Sequence, residues 1–203
     1  EQSTILRPGL IAGPYDSTDR ITYWIDRVSR GGEVFVPANP SDPIQFIDAL
    51  DIAEFALRSI EETINGHFNT AGKIMTWGEW LNICQEISES QLLLTWVDDV
   101  NFIDQNLGES PRPLGSFPLM SSSIFKFNSD KALAKGLKLR SSAETARNIL
   151  TWHNSRKLSG KECPIQDLML LIKAGLKGKD SYWMCGISAE HEQRLLRQWH
   201  REQ

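Results

Sequence analysis

Residues 4–14, TILRPGLIAGP, constrain this chain more than any other stretch. Ile5, Leu6, Leu10 and Ile11 form an apolar run too short for a stable helix. Pro8, Gly9, Gly13 and Pro14 punctuate it, so it reads as a buried strand that ends at a loop. Open α/β sheets place ligands beyond the carboxyl ends of such strands. A strand of a parallel or mixed sheet is covered on both faces and needs neighbours, and here it opens the chain. Its partners are therefore expected elsewhere, and with Glu1 where a methionine would start a protein the chain is expected to be the second half of a larger one.

After Pro14 the chain alternates between helix and strand periodicities. Ile21, Trp24, Ile25 and Val28 share one helical face, with Ser17 or Thr18 to cap it and Gly31-Gly32 to stop it. Residues 33–36 and 44–47 read as strands. Asp48 then opens a helix that is expected to bury Ile52, Ala56 and Ile60. A strand is expected over 66–72, and Thr76-x-x-Glu79 is a capping box for a helix carrying Trp77, Trp80, Leu81, Cys84 and Ile87. A further strand covers 92–97. Residues 108–123, with three prolines and three consecutive serines, are irregular and can cover a pocket. Ser129 and Ser141-x-x-Glu144 start two more helices. This alternation makes residues 1–152 an α/β unit. Residues 153–203, amphipathic over 164–174 and again from Ser188 through Leu195, Leu196 and Trp199, are expected to be a helical extension that packs on the body or on a second subunit.

Composition narrows the classes of function. Apolar residues make up 40% and charged residues 24% of 203, with a formal net charge of −4, as in ordinary globular proteins. The acidic balance argues against a nucleic-acid backbone as the main partner. No apolar run is long enough to cross a bilayer and no basic-then-apolar leader opens the chain, so a cytoplasmic protein without membrane partners is expected. Cys84, Cys163 and Cys185 form no C-x-x-C pair, which suggests neither a disulfide framework nor a zinc site.

Four local patterns occur in one order: residues 7–14, residues 46–53, Phe68-Asn69 with Thr76-x-x-Glu79, and residues 127–132 with Gly136-Leu137 and Glu144-Thr145. Together they resemble the C-terminal half of the extended short-chain dehydrogenases/reductases, the NAD-dependent epimerase/dehydratase family, over about residues 5–152. The resemblance implies a Rossmann-like α/β fold with a small substrate domain and a helical C-terminal extension. In that family the first half holds NAD or NADP on a Gly-rich turn and carries a Tyr-x-x-x-Lys pair, with the tyrosine as general acid/base. Neither motif occurs in these 203 residues, so no catalytic residue is assigned here and the chain by itself is expected to be inactive.

By the same resemblance, the backbone at Pro8, Gly9 and Leu10 lies against the nicotinamide end of the cofactor. Leu10 stands where many members place an asparagine that faces the substrate. Sugar-nucleotide members commonly carry an Arg-Asp pair where this chain has Ile44 and Gln45. Isoleucine cannot neutralise a diphosphate, so a smaller or more apolar substrate than a nucleotide sugar is expected. Arg20, Tyr23 and Gln45 are the further substrate-binding candidates. Asp48 and Asp51 read as a helix cap and a dipole partner. His67, beside Phe68 on a strand, reads as structural; His153, His191 and His200 lack metal-ligand spacing, and Lys126, Lys131, Lys135, Lys138 and Arg140 read as a solvated basic face. Dimerisation is open. The competing expectation is a non-catalytic binding or assembly module derived from the same family.

Overall fold

The opening stretch forms two strands that take different partners. In the computed structural model, which describes residues 3–16, 19–106, 126–158 and 186–203, β1 (Thr4–Pro8) pairs in parallel with β6 (Gly66–Thr70), from Thr4↔Gly66 to Pro8↔Thr70. After Gly9 the chain changes sheets. The next strand, β2 (Leu10–Ala12), pairs in parallel with β5 (Phe46–Asp48). Pro8 has no N–H to continue a ladder, so the change falls at Pro8–Gly9. The expectation of one buried strand is corrected in a second way: β1 is an edge, paired on one side only among the described residues, and Ile5 and Ile11 are exposed.

Gln45 divides the next expected strand in the same manner. On its N-terminal side β4 (Pro43–Ile44) pairs antiparallel with β7 (Met75–Thr76), while β5 runs parallel to β2. A third parallel pair joins β3 (Gly32–Val36) to β8 (Leu92–Trp96).

The helices pack around these pairs. Helix α1 (Arg20–Ser29) buries Trp24, Ile25 and Val28 against α3 (Trp77–Ser88) and α6 (Ser142–Leu158). Trp24 meets Trp77 edge-to-face at 5.2 Å, and Phe46 meets Trp80 at 4.8 Å, the spacing at which aromatic pairs add to simple burial. The Thr76–Glu79 capping box starts α3 as its spacing implies. Cys84 sits wholly buried in this core, and burial pushes its thiol well up, so it is inert. Ser17 and Thr18 lie outside the described residues. Asp19 occupies the N-cap position of α1 with φ +50°, and its carboxylate is engaged by Arg156 of α6 instead of capping the helix.

Helix α2 (Ala49–Glu61) is rotated by one residue from the expected face. Asp51, Phe55 and Ser59 are buried, and Ile60 is 77% exposed. The ring of Phe55 stands edge-on to Phe68 of β6 at 5.6 Å, and Asp51 turns toward Arg140, so these two contacts set the rotation. Beyond β8 come α4 (Val100–Asn106), the short α5 (Asp130–Leu133), α6 and α7 (Ala189–Glu202). Ser188 caps α7 by accepting the His191 N–H at 3.2 Å. Leu195 and Leu196 then pack on Phe35, Val97, Phe102 and Ile103. A buried ion pair, Arg27 Nε to Glu192 Oε2 at 2.6 Å, ties α7 to α1. Helix α6 runs through position 152, carrying His153 and Arg156 into a buried network with Asp26 and Asp19. Residues 108–123 and 164–174, with Cys163 and Cys185, lie outside the described residues. Among the described residues no helix is long and apolar enough to cross a membrane, and no cluster of metal-ligating side chains occurs.

Candidate functional site

Parallel strands β1 and β6 end side by side, and Gly9 leaves the pair with its N–H donating to the Thr70 carbonyl at 3.0 Å. A Cβ at Gly9 would stand 3.3 Å from the Ala71 Cβ and 3.6 Å from the Phe127 ring. Without a side chain, Gly9 lets the backbone pack closely on Ala71 and Phe127, with Pro8 exposed before it and Leu10 half-buried after it. Leu10 is in register with Phe46, which places it one residue along from Gln45.

Gln45 is buried, and its whole amide is used. Nε2 donates to the carbonyls of Gly72 at 2.8 Å and Phe127 at 2.9 Å, and Oε1 accepts the Phe127 N–H at 2.9 Å. A second latch forms beside it: Ser129 Oγ accepts the Ala71 N–H at 2.8 Å, and Asn69 Nδ2 donates to the Asn128 carbonyl at 3.3 Å. These bonds bring the stretches around residues 8–10, 45–46, 69–72 and 127–129 to one place, the carboxyl ends of β1 and β6. That is where a parallel sheet offers a ligand site.

The two candidates on α1 are disposed differently. Arg20 is half-buried at the first turn. Tyr23 is 5% exposed and faces the interior, where a Cβ on Gly186 would come within 2.0 Å of its ring. Burial, with Glu192 nearby, holds its phenol well above the ordinary value, so Tyr23 is no proton donor near neutral pH.

Asp48 and Asp51 are more than a cap and a dipole partner. Asp48 Oδ1 accepts the Leu50 N–H at 2.9 Å and Arg140 Nη1 at 3.0 Å, while Oδ2 accepts the Thr145 hydroxyl at 2.8 Å. Arg140 also lies 3.1 Å from Asp51 and 3.0 Å from Glu54. Its side chain is 11% exposed, so the expectation of a solvated basic face is corrected at this position. Lys131 stays exposed, as expected, while donating to the His67 carbonyl and lying over the Phe68 ring at 4.8 Å. The charged cluster borders a cavity of about 660 Å³ whose wall includes none of Pro8, Gly9 or Leu10. It is an architectural hub.

Burial pushes Asp51 up to about 6 from an ordinary 3.8, with the charges of Asp48 and Glu54 adding and Arg140 opposing. Between those values the folded chain binds more proton than the unfolded one, so this group's contribution to stability is full below about pH 3.8 and is lost as pH rises through about 6. Melting temperatures of wild type and Asp51→Asn at half-unit steps from pH 4 to pH 7 check this. The wild type should lose ground against the variant as pH rises. A constant difference would remove Asp51 from the cluster's titration.

Sequence reasoning missed the roles of Arg140, Ser129 and Phe127. Thr145 lay within a matched motif, yet its bond to Asp48 joins residues 97 positions apart and leaves no local trace.

No protein-family model and no curated protein matches the sequence. Solved structures do match in fold. A UDP-N-acetylglucosamine 4-epimerase from Methanobrevibacter ruminantium M1, in complex with UDP-N-acetylmuramic acid, aligns over 76% of this chain and 47% of its own with a TM-score of 0.55 and 20% identity. RMD from Pseudomonas aeruginosa, complexed with NADPH, aligns over 75% of this chain and 48% of its own with a TM-score of 0.52 and 17% identity. For a UDP-glucose 4-epimerase from Thermus thermophilus, in complex with NAD, the figures are 75%, 47%, 0.50 and 14%. The chain thus spans about half the length of the structures it resembles. At these identities the likeness establishes the fold alone: mixed α/β with parallel strand pairs, shared with about half of each of these epimerase and reductase structures.

Proposed function

We propose that this chain is the substrate-binding portion of an NAD- or NADP-dependent epimerase or reductase of the extended short-chain dehydrogenase type. The observation that carries the reading is the junction at Gly9, where the backbone leaves the carboxyl ends of two parallel strands and packs closely on Ala71 and Phe127. In this reading a flat ring edge lies along the backbone at Pro8 and Gly9, which packs closely on Ala71 and Phe127 because Gly9 carries no side chain. Pro8, Gly9 and Leu10 would hold the nicotinamide end of the cofactor. A bound nicotinamide supplies or accepts a hydride.

This chain's own residues position and shield. In this reading Leu10 and Arg20 border the substrate, and Gln45 holds Phe127 through two hydrogen bonds and Gly72 through a third. Tyr23 supports from inside the helix that carries Arg20. The diphosphate end of the cofactor and the proton transfer are assigned to a Gly-rich turn and a Tyr-x-x-x-Lys pair outside these 203 residues. Two of the structural relatives are named as acting on sugar nucleotides. Here Ile44 is buried and Gln45 is fully engaged by backbone, and neither neutralises phosphate, so the reading favours a smaller or more apolar substrate. A cytoplasmic setting belongs to the same proposal.

The reading frame upstream of the Glu1 codon tests it. In-frame codons for a Gly-rich turn and, close before Glu1, a Tyr-x-x-x-Lys pair are expected. A start codon there without either motif would overturn the proposal in favour of a free-standing module.

A further inference from the structure

Three of the large apolar side chains that the fold leaves in solvent, Ile74, Phe127 and Leu133, are 51%, 45% and 43% exposed, and all three line one cavity of about 310 Å³. The volume is at the lower edge of small-ligand sites. Isolated apolar side chains on a surface are ordinary, but three converging on one concavity mark a binding surface. The cavity has a rigid floor: Gln45 and Ser129 lie in its wall and clamp the chain at Gly72, Ala71 and Phe127 through the hydrogen bonds of their amide and hydroxyl.

Positive charge outnumbers negative in its wall. Lys73 and Lys126 stand in the wall, both exposed, and neither has an ion-pair partner among the described residues. The wall's single carboxylate, Asp130, is occupied, its Oδ2 accepting Asn128 Nδ2 at 2.8 Å. An apolar patch beside two unsatisfied ammonium groups complements a ligand with an apolar body and one negative end.

We propose that this cavity binds an amphipathic carboxylate, its hydrocarbon part against Phe127, Ile74 and Leu133 and its carboxylate between Lys73 and Lys126. The cavity adjoins the nicotinamide ledge and shares Gln45, Ala71 and Phe127 with its backing, while Pro8, Gly9 and Leu10 lie outside its wall, so octanoate binding can be read whether or not the ledge takes a cofactor.

Titration calorimetry of the full chain with octanoate tests this, with octylammonium as the comparator of opposite charge. Octanoate is expected to bind saturably and octylammonium at least tenfold more weakly. The double variant Lys73→Glu/Lys126→Glu, at two exposed positions, should lose about tenfold in octanoate affinity with an unchanged far-UV circular dichroism spectrum. Leu133→Asn should weaken octanoate with the charges intact. Absence of saturable octanoate binding, equal binding of octylammonium, or an undiminished affinity in the double variant would overturn the proposal.

Discussion

Replacing Asp48 by alanine is expected to cost about 3–5 kcal/mol of stability, the usual consequence of removing one partner from a buried ion pair, read as the shift of the urea unfolding midpoint. Asp48 is 2% exposed and serves three donors: the first turn of α2, Arg140 and Thr145. The alanine variant loses the helix cap and the Thr145 contact together and leaves Arg140 short of a carboxylate in a nearly closed site. Asp51 and Glu54 remain beside Arg140, which keeps the loss at the lower end of that range. Asp48→Asn should cost less than half as much, because asparagine caps helices about as well as aspartate. A loss below about 1 kcal/mol for the alanine variant would show that α2, the 140–145 turn and α6 are held together by something else.

Gly72→Ala is expected to cost about 3 kcal/mol, at the upper end of what overpacking does. A Cβ there would lie 2.0 Å from the Phe46 carbonyl oxygen and 3.2 Å from its carbon. Both are backbone atoms of the segment that starts β5, so no side-chain rotation relieves the clash. The two segments must part, and with them goes the Gln45 bond to the Gly72 carbonyl. Gly32→Ala is the matched control. Gly32 has φ +73° but nothing within 4 Å of its Cβ position, so only the backbone preference is lost, about 1 kcal/mol. Thermal melts of the two variants should therefore differ clearly. Equal losses would mean that the junction around residues 45 and 72 is loose enough to admit a methyl group.

These two sites also mark the limit of what the sequence discloses. Features set by neighbours within four residues were legible: the Thr76–Glu79 box, the Asp48 and Ser188 caps and the buried stripe of α1. The α/β layering followed from them. Features set by distant partners were not. Pro8 marks where the run over residues 4–12 is interrupted, but nothing local shows that its two parts take β6 and β5 as partners, or that Gln45 divides another strand, because β5, β6, β7 and Phe127 supply the reasons. Arg140 looked like one of five basic residues on a solvated face, while its carboxylate partner Asp48 lies 92 positions away. On α2 the apolar pattern alone favoured Ile60, but the Phe55–Phe68 contact turned the helix past it. The ledge was legible as punctuation, Pro8-Gly9, but its backing by Phe127 was not.

The central claim is that the backbone turn at Pro8–Gly9 holds the nicotinamide end of a dinucleotide. The most direct measurement is NADH and NADPH fluorescence on titrating the polypeptide encoded by the frame that contains Glu1 and its upstream codons, with and without Gly9→Val. The wild type should bind one of the two saturably, and the variant, judged folded by circular dichroism, should bind it at least tenfold more weakly. Equal affinity in the two proteins, or no binding of either cofactor by the wild type, would contradict the claim.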